Sequence, residues 1–366
     1  MRKVLITDWL EKFGGAERVV KAIAEIYKFD YYYAYIDRMP QDVKDEVFQR
    51  KVKVTQSNLL KLFGKYFRYT MPIFPLIVNE FNNATKQNKV DLIISSSWAL
   101  SKGYKNKGAV HICYLQARNF KYVWSEAHLY FKGILRVLSF TKKYLRKFDI
   151  NAAQNPDVLI SNSKFVQDWV KVHYNRDSYL IYPPVEVDCF CLSESKEDYY
   201  ITIGRLEIYK RFDIIIDAFN KNKKKLIVVG SGSELKSLMK SANDNIQFCG
   251  FLKKNEFENK LNRAKGFVYS GIEDFGISIV ESLASGVPVI GYNGGAMSEI
   301  IEDGIDGYLF DKQDSISLND AIQKFEETYQ NFDPKFIKER ADRFSKIRFQ
   351  NEFKTLVDSI TDNWHA

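Results

Sequence analysis

Short, almost uninterrupted apolar runs recur along this chain, separated by longer stretches with helical spacing. In the first half they are KVLIT (3–7), YYYAYI (31–36), KVKVT (51–55), DLIISS (91–96), AVHICYL (109–115) and DVLISNS (157–163). In the second half they are YYITIG (199–204), KLIVVG (225–230), IQFCG (246–250), GFVYS (266–270) and VPVIGY (287–292). A strand that is apolar along its whole length is covered on both faces, which is the condition of a parallel sheet sandwiched by crossover helices. The pattern therefore predicts the α/β class, with helices on both sides of parallel sheets. A length of 366 residues suits two domains at roughly 100–200 residues each. The stretch YPPVEVDCF (182–190) carries two adjacent prolines that break any helix, and it is the expected link between them. Two such sheets predict a cleft between twin Rossmann-like domains. Ligands then bind beyond the carboxyl ends of the strands.

Composition narrows the ligand. The formal charge of +8 fits an anionic partner, whether nucleotide, nucleic acid or acidic lipid. No nucleic-acid motif accompanies it, so no nucleic-acid partner is expected. No Gly-x-Gly-x-x-Gly follows a strand, which counts against a dinucleotide-dependent oxidoreductase. Cys113, Cys189, Cys191 and Cys249 form no disulfide framework. The histidines at 111, 128, 173 and 365 lack metal-ligand spacing, and Asp-x-Asp is absent, so neither a metal site nor a cofactor is expected. The N-terminus reads as a strand rather than a signal peptide, and no apolar run nears the ~20 residues of a membrane span. A cytoplasmic protein is the expectation.

Four loops at strand ends hold the chemistry. After the first strand, Gly14 and Gly15 open an amphipathic helix, where bare backbone and free N–H groups favour an anion. After YYITIG, Arg205 and Lys210 bracket a strand-to-helix loop. Such a cation pair can hold a diphosphate and stabilise charge on a departing phosphate. Lys210 and Arg211 are adjacent, so spacing leaves open which one turns inward. After GFVYS comes GIEDFG, then ISIVESLASG, which predicts a helix starting near Ile277 and capped at Gly286. Glu273 precedes that helix and Glu281 sits one turn inside it. Two carboxylates beside an anion-binding helix start suit the vicinal hydroxyls of a sugar–diphosphate–ribose ligand. An ordinary solvated helix start is the competing reading. After VPVIGY, Gly294 and Gly295 form a further glycine loop.

These residues carry a resemblance. EDFGISIVE (273–281) looks like the Glu-x7-Glu motif of the GT-B retaining glycosyltransferases of family 4, the group that includes bacterial polysaccharide and lipopolysaccharide mannosyltransferases. GRLEIYKR (204–211) looks like that family's diphosphate clamp, and DWLEKFGGAERVV (8–20) like its N-terminal glycine loop. FSKIRFQNEFKTLV (344–357) looks like its terminal helix, which crosses back to the first domain. The resemblance spans nearly the whole chain and implies a GT-B fold. Residues 1–182, with 345–366 returning, would form an acceptor-binding domain; residues 183–344 would bind the nucleotide sugar. It implies donor contacts from Gly14, Gly15, Arg205, Lys210, Phe275, Gly276, Ile277 and Glu281. Arg205, Lys210 and Glu273 would serve catalysis, Glu281 holding the ribose and Glu273 the transferred sugar. The implied activity is metal-independent transfer of a hexose with retention, with mannose from GDP-mannose favoured, to a saccharide or lipid-linked saccharide.

One segment departs from the family pattern. HICYLQARNFKYVW (111–124) has Gln116 where the family usually has a second histidine, near the reacting sugar, and Gln116 cannot titrate. Gln116, Arg118 and Lys121 are candidate sugar or acceptor contacts. The departure also raises the reading of a catalytically silent nucleotide-sugar-binding partner of another transferase. Finally, 59–72 and 130–148 are basic and apolar with no acid. Such segments can lie on an anionic membrane surface, which gives a peripheral position on the inner membrane face as the expectation.

Overall fold

The computed structural model describes residues 1–118, 120, 121, 123, 124 and 141–365. The chain divides into two compact units, Met1–Pro184 with Phe349–Ala366, and Val185–Arg348.

Unit 1 is built on a seven-stranded parallel sheet of order β3-β2-β1-β4-β5-β6-β7. Its strands are β1 (Lys3–Leu10), β2 (Tyr31–Asp37), β3 (Val54–Gln56), β4 (Leu92–Ser97), β5 (Val110–Leu115), β6 (Val158–Ser161) and β7 (Tyr179–Leu180). Alternate residues of β1 enter opposite cores, as period-two geometry requires. Val4 and Ile6 join Phe74, Ile77 and Phe81. Leu5 joins Val19, Ile23, Phe349 and Phe353. The helix Lys346–His365 places Phe349, Phe353 and Val357 in that second core. Their four-residue spacing puts one apolar stripe on the sheet. Gln350 Nε2 donates to Glu25 Oε2 at 2.8 Å and to the Ala22 carbonyl at 3.2 Å, fixing the helix against Gly15–Ile26.

Unit 2 carries a six-stranded parallel sheet of order β10-β9-β8-β11-β12-β13. The strands are β8 (Tyr200–Ile203), β9 (Leu226–Val229), β10 (Ile246–Gly250), β11 (Gly266–Tyr269), β12 (Val289–Tyr292) and β13 (Gly307–Phe310). Strand order reverses between β8 and β11, which pair directly through Phe267 and Ile201. That reversal is the topological switch point where open α/β sheets bind ligands.

Two strands were not foreseen from the sequence. β7 is two residues long, and β13 is a four-residue edge strand opened by glycine. KVKVT yields strand only at Val54–Gln56, because Lys51 and Lys53 are exposed outside the ladder.

Candidate functional site

The loops leaving β8 and β11 meet at the switch point. Gly204 opens the first, and the chain passes through a short 3₁₀ turn, Ile208–Lys210, into the helix Phe212–Asn222. The second runs from Ser270 to Gly276 and enters the helix Ile277–Ala284. Gly276 caps that helix with φ +103°, a left-handed conformation that a side chain disfavours. The helix therefore starts at Ile277, where the sequence placed it.

Interlocking fixes the loops. Ser270 Oγ donates to the Arg211 carbonyl at 2.6 Å, and Gln313 Nε2 donates to the Ser270 carbonyl at 2.7 Å. Glu273 forms a β-bridge with Gly295, and the Ala296 N–H donates to the Glu273 carbonyl at 3.0 Å. A Cβ on Gly295 would stand 2.3 Å from that carbonyl oxygen. The glycine loop after β12 thus permits the close backbone approach that holds Glu273.

The side chains then resolve the question of Lys210 against Arg211. Lys210 turns inward: its Nζ donates to Tyr269 OH at 3.0 Å and pairs with Glu273 Oε1. Arg211 turns away and forks onto Asp213, with Nη2 to Oδ2 at 3.0 Å. Tyr269 OH also donates to Glu273 Oε1, closing a three-membered cluster. Burial, reinforced by the Glu273 carboxylate, pushes the Tyr269 phenol far above its ordinary value, so it remains a donor. Arg205 is exposed, with Nη2 donating to Tyr209 OH at 3.2 Å. Phe275 is buried and packs edge-on against Phe344 at 5.5 Å. Glu281 is a buried carboxyl in the second turn of the helix. Arg205, Lys210, Glu273, Phe275, Gly276, Ile277 and Glu281 thus share the loops and helix start at one end of the unit 2 sheet.

The remaining candidates lie in unit 1. Gly14 is the N-cap of Gly15–Ile26 and has extended backbone. Glu17, three residues on, reaches back to the Gly14 backbone; burial outweighs this contact and pushes its carboxyl up to about 7. Gln116 follows β5 and donates from Nε2 to Ser96 Oγ at 2.8 Å. Its carbonyl accepts from Asn162 Nδ2 at 2.7 Å. Arg118 stacks on the Phe165 ring at 4.6 Å. Lys121 is part-buried in a turn. His111 is a core residue bonded to Ser95 Oγ at 2.7 Å, and burial lowers its pKa to about 3, so it stays neutral. Asn119, Tyr122 and the stretch 125–140 lie outside the described residues, and with them most of the basic segment 130–148.

Sequence reading missed Tyr269 and Glu17. Tyr269 ends an apolar strand run and reads as core. Glu17 had a signal: glutamate three residues past a helix cap is the second half of a capping box.

Comparison with known proteins bears on unit 2 most directly. Residues 191–344 match the family "Glycosyl transferases group 1". That segment contains Arg205, Lys210, Glu273 and Glu281. N-acetyl-alpha-D-glucosaminyl L-malate synthase of Bacillus anthracis is 29% identical over 181 residues, 46% of this chain and 47% of that protein. O-antigen chain mannosyltransferase RfbU of Salmonella typhimurium is 26% identical over 240 residues, 61% of this chain and 63% of that protein. The chain spans about half, or less, of the length of the first curated relatives it matches. The crystal structure of Anabaena HepE in complex with UDP and glucose superposes with a TM-score of 0.73 at 18% identity. The match covers 98% of this chain and 100% of that one. The two parallel-sheet, Rossmann-like units are those of the GT-B glycosyltransferase fold.

Proposed function

We propose that this chain is a glycosyltransferase that moves a hexose from a nucleotide diphosphate sugar to a saccharide or lipid-linked saccharide, with retention, in cell-surface polysaccharide or glycan assembly. One observation carries the reading. Lys210 pairs with Glu273 at the switch point of unit 2, where the loop that carries Arg205 and the start of the helix that carries Glu281 lie at the same end of the sheet, inside the segment that matches group 1 glycosyl transferases.

Arg205 and Lys210 hold the donor diphosphate, and the amides at Phe275, Gly276 and Ile277 approach a phosphate or the sugar. Glu281 takes the ribose hydroxyls and Glu273 those of the hexose. Gly14 and Gly15 are assigned to the donor phosphate on the family resemblance, as are Gln116, Arg118 and Lys121 to sugar or acceptor. Phe251 follows β10, is 89% exposed, and offers a flat face for the base. In the reaction, the acceptor hydroxyl attacks the anomeric carbon from the side of the leaving group. The bond from that carbon to the phosphate oxygen breaks, and the leaving phosphate takes the hydroxyl proton. The developing negative charge falls on Lys210, Arg205 and the helix start, so these groups supply the stabilisation without a metal. Mannose from GDP-mannose is the favoured donor, and RfbU is a mannosyltransferase by name.

A panel of GDP-mannose, UDP-glucose, UDP-galactose and UDP-N-acetylglucosamine tests this directly. One of them should be hydrolysed or transferred by the purified chain. Failure of all four, with no nucleotide product, removes the reading.

The acceptor side favours a membrane surface. Leu62, Tyr66 and Tyr69 are 82%, 58% and 69% exposed, with Lys61 exposed beside them, in a stretch without an acid. Apolar side chains among cations suit an anionic bilayer face. Among the described residues no helix is long and apolar enough to cross a membrane, so the contact proposed is peripheral. The chain should float with vesicles containing phosphatidylglycerol and not with pure phosphatidylcholine; equal behaviour in both would defeat this part.

A further inference from the structure

We propose that Tyr269 is a positioning residue that keeps Glu273 in place while Lys210 exchanges that carboxylate for a donor phosphate. The inference rests on the glycosyltransfer reading above and assigns a role to a residue outside the clamp and the Glu-x7-Glu pair.

Lys210, Tyr269 and Glu273 are mutually bonded, with Lys210 and Tyr269 both meeting Glu273 Oε1. Lys210 is therefore answered by an internal anion, Glu273. An ammonium has three donors in a movable head on a four-carbon stem, so it can turn to a new anion. A diphosphate carries more charge than a carboxylate and competes for it.

The two carboxylate partners differ in mobility. Tyr269 is buried at the last position of β11, where it is in register with Gly291 of β12. Its ring stacks on Phe267 at 6.3 Å. Glu273 is held at its backbone by Gly295 and Ala296. When Lys210 leaves for a phosphate, Glu273 loses its counter-charge but keeps a fixed hydrogen bond from the phenol. The carboxylate then stays where hexose hydroxyls meet it instead of following the lysine. A phenol serves this purpose because it donates without adding charge. A second lysine there would compete for the diphosphate.

The test is Tyr269→Phe, which keeps the ring and its packing. Calorimetry compares GDP with GDP-mannose, and UDP with UDP-glucose, on the wild-type and variant chains. The expected result is a split. Binding of the parent nucleotide diphosphate stays within about twofold, while the nucleotide sugar weakens about tenfold, the scale of one hydrogen bond to a charged group. A double-mutant cycle with Glu273→Gln guards against a merely structural effect: in that background, Tyr269→Phe should add little further loss. Equal weakening of nucleotide and nucleotide sugar, or full additivity with Glu273→Gln, overturns the role of Tyr269. Absence of both GDP and UDP binding in the wild-type chain instead overturns the underlying reading, and this inference with it.

Discussion

Each unit contains a lysine, a carboxylate and a tyrosine bonded together, yet the two clusters differ in their exposure to water. In unit 1, Lys102 Nζ lies 2.7 Å from Asp149 Oδ1, and both side chains have no exposure at all. Tyr174 OH and Trp124 Nε1 donate to the other oxygen at 2.8 and 2.7 Å, and Lys102 also donates to the Ala99 carbonyl at 2.5 Å. In unit 2, Lys210 and Glu273 keep side-chain exposures of 15% and 23%. The first pair is sealed. Its members have nowhere to go, because leaving would strand a charge in a low-dielectric interior. The second is open to water, so an incoming anion can replace one partner at modest cost. Burial, more than residue type, separates a structural ion pair from an exchangeable one.

The comparison breaks most sharply at Lys102. Lys102→Ala leaves Asp149 buried without its cation and should cost about 3–5 kcal/mol of unfolding free energy, read by urea denaturation. A loss below about 1 kcal/mol would mean that the sealed pair is no more structural than the open one. Lys210→Ala should show the converse. Stability should stay within about 1 kcal/mol, while turnover of the active donor falls at least ~100-fold, as for loss of a transition-state charge partner. Near-normal turnover would place the clamp elsewhere.

The smallest effect concerns Glu17, a carboxyl held by backbone rather than by a lysine. Its pKa rises from 4.5 to about 7 on folding, chiefly through burial. Between those values the folded chain binds a proton that the unfolded chain has released, so stability falls as pH rises toward 7. Glu17→Gln cannot ionise and should gain on the wild type between pH 5 and pH 8. Screening at a part-buried position reduces the gain to roughly 1–2 kcal/mol. Parallel pH curves for the two chains would show that Glu17 does not titrate in this range.

Much of this was legible in the residues. Strands buried on both faces read as apolar runs, and β1, β4, β5, β8, β9 and β11 stand within a few residues of their expected places. The helix start at Ile277 was readable because glycine and a new apolar period coincide there. Other features depend on tertiary packing. β7 and β13 are too short to show a period. Lys210 and Arg211 are equivalent as text; the left-handed φ of +55° at Arg211 is part of the local geometry that sends them apart. Tyr269 hides inside a strand whose four residues are all buried. Lys102 and Asp149 lie 47 positions apart, and each alone reads as a solvated charge.

The helix Lys346–His365 carries a consequence for how the molecule is made. Phe349, Phe353 and Val357 belong to the core of unit 1, although all of unit 2 is encoded before them. During synthesis the unit begun first is completed last. It must wait, with part of its oily interior uncovered, until its neighbour has left the ribosome. A premature stop after Arg348 would spare the continuous unit and leave the discontinuous one unfinished.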